Sequence, residues 1–240
     1  MVHVDLTPAE RLAGLVTALA TAVVIIAVAI VPFLSPAWVS FEQGRAQAAE
    51  WTGYTTAELT AATDAILADL VFGPPDFDVA VRGEPVLNER ERSHMRDVRG
   101  VFAGFAIVAV IAAAGLAAAF VLARRAGHVE RAWQAIRNGA RGLTLGVVVA
   151  GVVALVAFDA AFELFHRIFF SGGTYTFDPG TERLVQLFPF AFWSETSMAV
   201  GAVILVISLA VAFTAARRLR GRPTANEAPA PSVAAPDPAR

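Results

Sequence analysis

The sequence predicts an all-α membrane protein: a four-transmembrane-helix bundle with a small extracytoplasmic cap of short helices and strands. Three observations lead there. Of the 240 residues 56% are hydrophobic, and the mean hydropathy of +0.59 is too apolar for an ordinary soluble domain. Four apolar stretches approach or exceed the ~20 residues a helix needs to cross the hydrocarbon core. The charged residues between them are sorted by sign, with arginine dominating one set of connections and acids the other.

Taken in order, residues 1–11 form an N-terminal segment and 12–34 the first span. That span outruns the ~7–15-residue core of a secretory leader, and Ser35-Pro36-Ala37-Trp38 makes a poor cleavage site, so it is read as a retained anchor. Residues 35–100 form the cap loop. Within it Thr55-Thr56-Ala57-Glu58 matches a capping box, followed by Leu59, Ile66 and Leu70 at helical spacing until Gly73-Pro74-Pro75. Phe77 to Val81 alternates like a short strand. Asn88-Glu89-Arg90-Glu91 caps a further helix expected to run into the second span, 101–123. A basic connection, 124–142, leads to the third span, 143–166. A second outer loop, 167–194, turns at Gly172-Gly173 and again at Asp178-Pro179-Gly180. Thr181 or Asp178 is expected to cap a short helix there, and Phe188, Phe190, Phe192 and Trp193 form an aromatic belt at re-entry. The fourth span is 195–216, and the Pro- and Ala-rich remainder, 217–240, reads as a disordered tail.

Orientation follows from the arginines. Arg124, Arg125, Arg131, Arg137 and Arg141 face a lone Glu130 in one connection, and Arg217, Arg218, Arg220 and Arg222 open the tail. Both segments, and hence both termini, are expected in the cytoplasm. The first loop carries eleven acids, Glu42 to Asp97, against six arginines, so both long loops fall on the extracytoplasmic face.

Composition excludes several chemistries. A net charge of −2 leaves no nucleic-acid footprint. Without cysteine there is no disulfide, no thiolate nucleophile and no cysteine-based zinc site. Without lysine there is no Ser–Lys dyad or Schiff base. No Gly-x-Ser-x-Gly, His-Glu-x-x-His or phosphate-binding glycine loop occurs.

What remains is a pair of histidines. His94 stands before the second span and His166 closes the third, so two distant segments deliver imidazoles to one membrane level. Asp97 follows His94 by three residues, and Asp159, Glu163 and His166 share a helical face at i, i+4, i+7. Carboxylates orient imidazoles, and histidine moves protons near neutral pH. Either histidine alone reads as an ordinary interfacial residue, and the acidic stripe as a polar seam between helices. His3 and His128 read as solvated loop residues. Ser93, Ser171 and Ser197 are weak nucleophile candidates. His94, His166, Asp97 and Glu163 have ligand types suited to zinc, but nothing in their spacing requires a metal.

The blocks His94-Met95-Arg96-Asp97-Val98 and Phe165-His166-Arg167-Ile168-Phe169-Phe170 resemble signature blocks of the bacterial lipoprotein intramolecular transacylases. Thr174 to Pro179 and Leu187 to Trp193 add to the likeness, which extends from about Leu12 to Ala216. The resemblance implies a membrane acyltransferase acting on diacylglyceryl-modified lipoproteins. It would move the sn-2 acyl chain to the α-amino group of the same N-terminal cysteine, giving the lyso form without a cofactor. It also implies that His94 and His166 are the catalytic pair. Asp97, Glu163 and Asp159 are then expected to support them, and Arg96, Arg167, Tyr175, Phe162 and Phe169 to contact lipid or peptide. Phe158, Phe162, Phe165 and Phe169 make a stripe suited to acyl chains or to packing. Gly172-Gly173-Thr174-Tyr175 departs from the family's more usual Asn/Asp and Trp. Two other classes stand beside this one: a metal-dependent membrane hydrolase using the same polar cluster, and a non-enzymatic assembly factor or transporter. Against a transporter, no paired broken helices or inverted repeat are evident.

Overall fold

The computed structural model describes residues 7–170 and 174–220. In chain order the elements are α1 (Pro8–Ile30), a 3-10 turn (Val31–Leu34), α2 (Pro36–Arg45), α3 (Ala48–Thr52), α4 (Thr56–Val71), β1 (Ala80–Val81), β2 (Glu84–Pro85), α5 (Glu89–Arg125), α6 (Val129–Phe169), α7 (Arg183–Leu187) and α8 (Phe190–Arg220). Helix α1 with its 3-10 turn, and α5, α6 and α8, are long and apolar enough to cross a membrane. The chain is a membrane protein, a four-helix bundle in which α6 packs against both α1 and α8.

The bundle is built inside out. Leu15, Val110, Ile111, Leu155 and Val206 face outward, whereas small and hydroxyl side chains fill the interior: Thr17, Thr21, Ala29, Gly139, Ala140, Ser208 and Ala212. Lipid already solvates leucine and valine, so close approach of small residues is what joins helices. A Cβ built on Gly139 would sit 2.3 Å from the Ala18 carbonyl oxygen, which marks the closest passage of α6 over α1. Thr17 and Thr21 return their hydroxyls to carbonyls one turn back, of Ala13 and Thr17, both at 2.8 Å. Thr144 and Ser208 hydrogen-bond between α6 and α8 at 2.9 Å.

Helices α5 and α6, of 37 and 41 residues, outrun the ~20 that span a bilayer. The first dozen residues of α5 project ~18 Å beyond its apolar run, which starts at Val101. At the other end the basic connection 124–142 is mostly helix rather than loop. Only residues 126–128 interrupt it, because Ala132, Ala135, Gly139 and Ala140 supply a small buried face that carries α6 past the hydrocarbon. Arg217 to Arg220, expected to open the tail, are the last turn of α8. The rest of that expected tail, residues 221–240, lies outside the described residues, as do His3, Ser171 and the Gly172-Gly173 turn.

The cap has its own core. Val39, Leu59, Ile66, Phe77, Val86, Leu87 and Met95 pack with Leu184, Leu187, Phe188 and Phe192 from the second loop. Two members of the expected aromatic belt, Phe188 and Phe192, are therefore cap core, and only Phe190 and Trp193 are exposed. Gln43 donates to Thr63 Oγ1 and to the Leu187 carbonyl, each at 3.0 Å, which ties α2, α4 and α7 together. The expected strand 77–81 is shortened to Ala80–Val81, because Phe77 adopts φ 52° to bury its ring and alternation cannot begin there. The strand pairs with β2 through a tight turn at Arg82 and Gly83, φ 56° and 82°. Both capping boxes form, Thr55 with Glu58 and Asn88 with Glu91.

Replacing Gly139 by valine forces α1 and α6 apart. The bundle is expected to lose about 1–3 kcal/mol, read as a lower midpoint in detergent-mediated unfolding, while Gly142→Val, which meets open space, leaves the midpoint unchanged.

Candidate active site

His94 sits two turns into α5, in the part that stands above the apolar run, and His166 one turn before the end of α6. Their rings face each other, centroids 6.1 Å apart and 22° from parallel. Both residues are buried, at 6% and 8% exposure. That separation puts both imidazoles within reach of one small polar group held between them.

The enclosure is aromatic. Phe170 lies 4.8 Å from His94 and 5.4 Å from His166, so it walls both rings. Phe177 covers His94 at 5.4 Å. Phe162 and Tyr175 stack beside His166 at 4.2 and 5.0 Å. Burial in this apolar shell pushes the His94 imidazole below its ordinary range; the neighbouring His166 pushes the same way, and the Asp97 charge partly opposes both. His94 is thus held as the neutral ring at physiological pH. Its Nδ1 is buried with no hydrogen-bond partner among the described residues.

His166 is held differently. Its Nδ1 lies 2.8 Å from the Phe162 carbonyl oxygen. A carbonyl only accepts, so Nδ1 carries the hydrogen and the neutral ring presents its lone pair on Nε2.

The expected carboxylate partners are not in place. Asp97 makes no hydrogen bond to His94 and lies exposed. Glu163 accepts from Arg167 Nε at 2.8 Å and from the Tyr175 hydroxyl at 3.2 Å, not from His166. Asp159 is exposed two turns below, without a hydrogen bond. Glu163 is drawn instead to Arg167 and Tyr175, and the Phe162 carbonyl one turn beneath His166 already holds that ring. Arg96 is likewise engaged, with Glu89 at 2.7 Å. Arg96 and Phe169 line a crevice of about 370 Å³ between α5 and α6, with Asp97, Gly100, Val101 and Phe170. Neither histidine lines this crevice; Phe170 stands between it and both rings. The phenylalanine stripe divides: Phe158 packs on Phe190 of α8 at 5.2 Å and Phe162 faces Trp193 at 6.2 Å, while Phe165 and Phe169 stack at 4.8 Å and stay half-exposed. Just before the stripe's start α6 is broken at Ala157, φ −147° and ψ 54°. His128 is at the far end of the bundle, flanking α6.

Sequence reasoning did not find the residues that seat the cover. Glu91, 1% exposed, accepts from the Asn88 amide of its own helix and from the Leu184 amide of α7, both at 2.7 Å. Neither Thr181 nor Asp178 caps α7; that task falls to Glu91, 93 residues away in sequence. Beside it Arg90 donates to both oxygens of Glu182 at 2.6 Å and stacks over Phe177 at 4.8 Å. These contacts lay the 174–182 segment over the histidines. The Asn88–Glu91 capping box was a visible signal, but it named only one of Glu91's two partners.

Four spans, a cap continuous with the bundle and a buried imidazole pair at their junction define a polytopic membrane protein. The family model of the lipoprotein intramolecular transacylase Lit matches residues 13–193, and the chain belongs to that family. The solved structure of the membrane-integral Lit from Bacillus cereus superposes with a TM-score of 0.73 at 19% identity, covering 88% of this chain and 95% of that one. Two variants of that protein, with one histidine replaced by arginine or alanine, superpose at 0.69 over 92% and 93% of their length. An uncharacterized protein of Aquifex aeolicus is 27% identical over 133 residues, which is 55% of this chain. This chain spans 57% of the length of that relative.

Two outcomes are expected of the cover. Glu91→Ala leaves buried amides unpartnered and lowers stability by about 1–3 kcal/mol, seen as faster hydrogen exchange at Leu184. Phe177→Ala admits water beside His94 and raises its titration midpoint toward the ordinary histidine value, followed by imidazole NMR.

Proposed function

We propose that the chain is a lipoprotein intramolecular transacylase. It moves the sn-2 acyl chain of a diacylglyceryl-cysteine to that cysteine's own α-amino group and releases the lyso-form lipoprotein. The observation that carries this reading, beside the family, is the facing of two buried imidazoles, one of them held through Nδ1 by a backbone carbonyl.

The chemistry needs one proton taken and one returned. An α-amine with pKa about 7.7–8.0 is partly deprotonated near neutrality. As its nitrogen attacks the sn-2 ester carbonyl, His166 Nε2 accepts the proton and the Phe162 carbonyl steadies the imidazolium that forms. His94, kept neutral by burial, donates its N–H to the oxyanion of the tetrahedral intermediate. Collapse breaks the carbonyl carbon–glycerol oxygen bond. The proton on His166 passes to the departing sn-2 oxygen, leaving an amide and an alcohol. Because nucleophile and ester belong to one molecule, orientation alone is worth ~7–11 kcal/mol in well-aligned cases. No acyl-enzyme is needed, in keeping with the absence of cysteine. Asp97, Glu163 and Asp159 act at most through their fields. Arg96 and Phe169 line the crevice on the far side of Phe170, where a lipid-borne substrate approaches the pair, and Tyr175 and Phe162 hold the His166 ring.

In this reading the site lies at the extracytoplasmic face of a bacterial plasma membrane, with both termini in the cytoplasm. What supports it is the gathering of Arg124, Arg125, Arg131, Arg137, Arg141 and Arg217 to Arg220 at the end of the bundle opposite the cap. The zinc-hydrolase alternative needs a third ligand beside the imidazoles, and among the described residues no three His, Asp or Glu converge.

In cells accumulating diacylglyceryl lipoprotein, His94→Ala and His166→Ala are each expected to cut lyso-form production by about 10²–10⁴-fold, read by mass spectrometry of lipoprotein N-termini. Undiminished product from either variant removes that histidine from the reaction. The roles separate with glutamine, which keeps a neutral N–H donor but no basic nitrogen: His94→Gln should retain more activity than His166→Gln.

A further inference from the structure

We infer that the C-terminal tip of α4, from Val71 to Pro75, inserts into the acyl-chain region of the leaflet on the cap side and anchors the cap to the bilayer. Val71-Phe72-Gly73-Pro74-Pro75 is an uncharged run bounded by Asp69 and Asp76. Phe72 is 91% exposed, more than any other large apolar side chain among the described residues, and Val71, Pro74 and Pro75 are exposed with it. The buried side of α4 already meets the cap core through Leu59, Ala62, Ile66 and Leu67, so these residues are not its unfinished edge.

Their height is set by Arg99. This is the last charged residue before the apolar run of α5, two residues or ~3 Å from Val101. Its guanidinium donates to the carbonyls of Asp69 and Gly73, which end α4. The tip therefore sits where the hydrocarbon begins. An arginine that turns its head to such a boundary and keeps its stem along apolar surface is an interfacial side chain. The last carbonyls of a helix need partners, and here a protein cation supplies them where water thins out.

The exposed tip is thus continuous with the lipid-facing surface of the bundle, and its occupant is hydrocarbon rather than anionic headgroups. No arginine lies between Arg45 and Arg82, acids flank the tip on both sides, and Arg99 beside it is engaged with the Asp69 and Gly73 carbonyls, so nothing in the tip itself attracts phosphate. An aromatic ring at the boundary is the usual form of such an anchor. Because Arg99 belongs to the same helix as His94, the anchor fixes the height of the imidazole pair above the leaflet.

The chain has no cysteine, so a nitroxide on Phe72→Cys reports from one place. The full-length protein is placed in phosphatidylcholine nanodiscs, one copy per disc. Access of oxygen and of a neutral nickel chelate to the label is compared with labels on Asp76→Cys and on Val110→Cys in mid-span. Insertion gives an oxygen-to-nickel ratio at 72 several-fold above that at 76 and closer to that at 110, unchanged by salt. A ratio nearer to that at 76 means the tip stands in water and overturns the anchor. Protection from both reagents means protein covers it, which overturns the anchor equally.

Discussion

One buried carboxylate organises the site. Glu91 divides its two oxygens between the amide of Asn88, the N-cap of α5, and the amide of Leu184 in the first turn of α7. A charged acceptor this buried has little choice of partner, since an unsatisfied oxygen there costs more than almost any rearrangement. Its two bonds therefore fix where the second connection crosses α5. Everything laid over the histidines hangs from that crossing: Arg90 on Glu182, Phe177 on His94 and Tyr175 on His166.

The aromatic cover acts on the imidazoles electrostatically as well as sterically. By removing water it keeps His94 neutral, a state in which the ring donates a hydrogen bond without first losing a charge. The Phe162 carbonyl does the complementary work at His166, fixing a tautomer whose basic nitrogen is Nε2. A backbone dipole suits that task better than a carboxylate in a hydrocarbon setting. It orients the ring, whereas an acid would bring a second charge into a region where each is costly.

Helix length joins this site to the membrane. Because α5 continues past the bilayer, the segment bearing His94 is a helical extension of its span, and His166 is carried on the last turn of α6, beyond the break at Ala157. The close packing of α1 on α6 at Gly139, and the Thr144–Ser208 bond between α6 and α8, hold those segments in register from below. Small shifts in the bundle would therefore be carried to the imidazole pair.

Much of this was legible before any coordinates. Apolar runs of this length have one solution in a membrane, since a spanning chain must satisfy its backbone within a helix. The capping boxes at Thr55 and Asn88 are local hydrogen-bond patterns, readable from spacing alone. The common level of His94 and His166 follows from counting residues to the apolar boundary.

Their partners were not legible in the same way. The sequence placed acids three residues from each histidine, but in the fold Glu163 goes to Arg167 and Tyr175 and Asp97 stays exposed. The break at Ala157 has no proline or glycine beside it to announce it. The contact of Glu91 with Leu184 joins residues 93 apart. Periodicity and composition report how a residue relates to its near neighbours and to the solvent. Which distant group satisfies a buried polar atom is decided by the competition among all groups within reach, and that set exists only once the chain has folded.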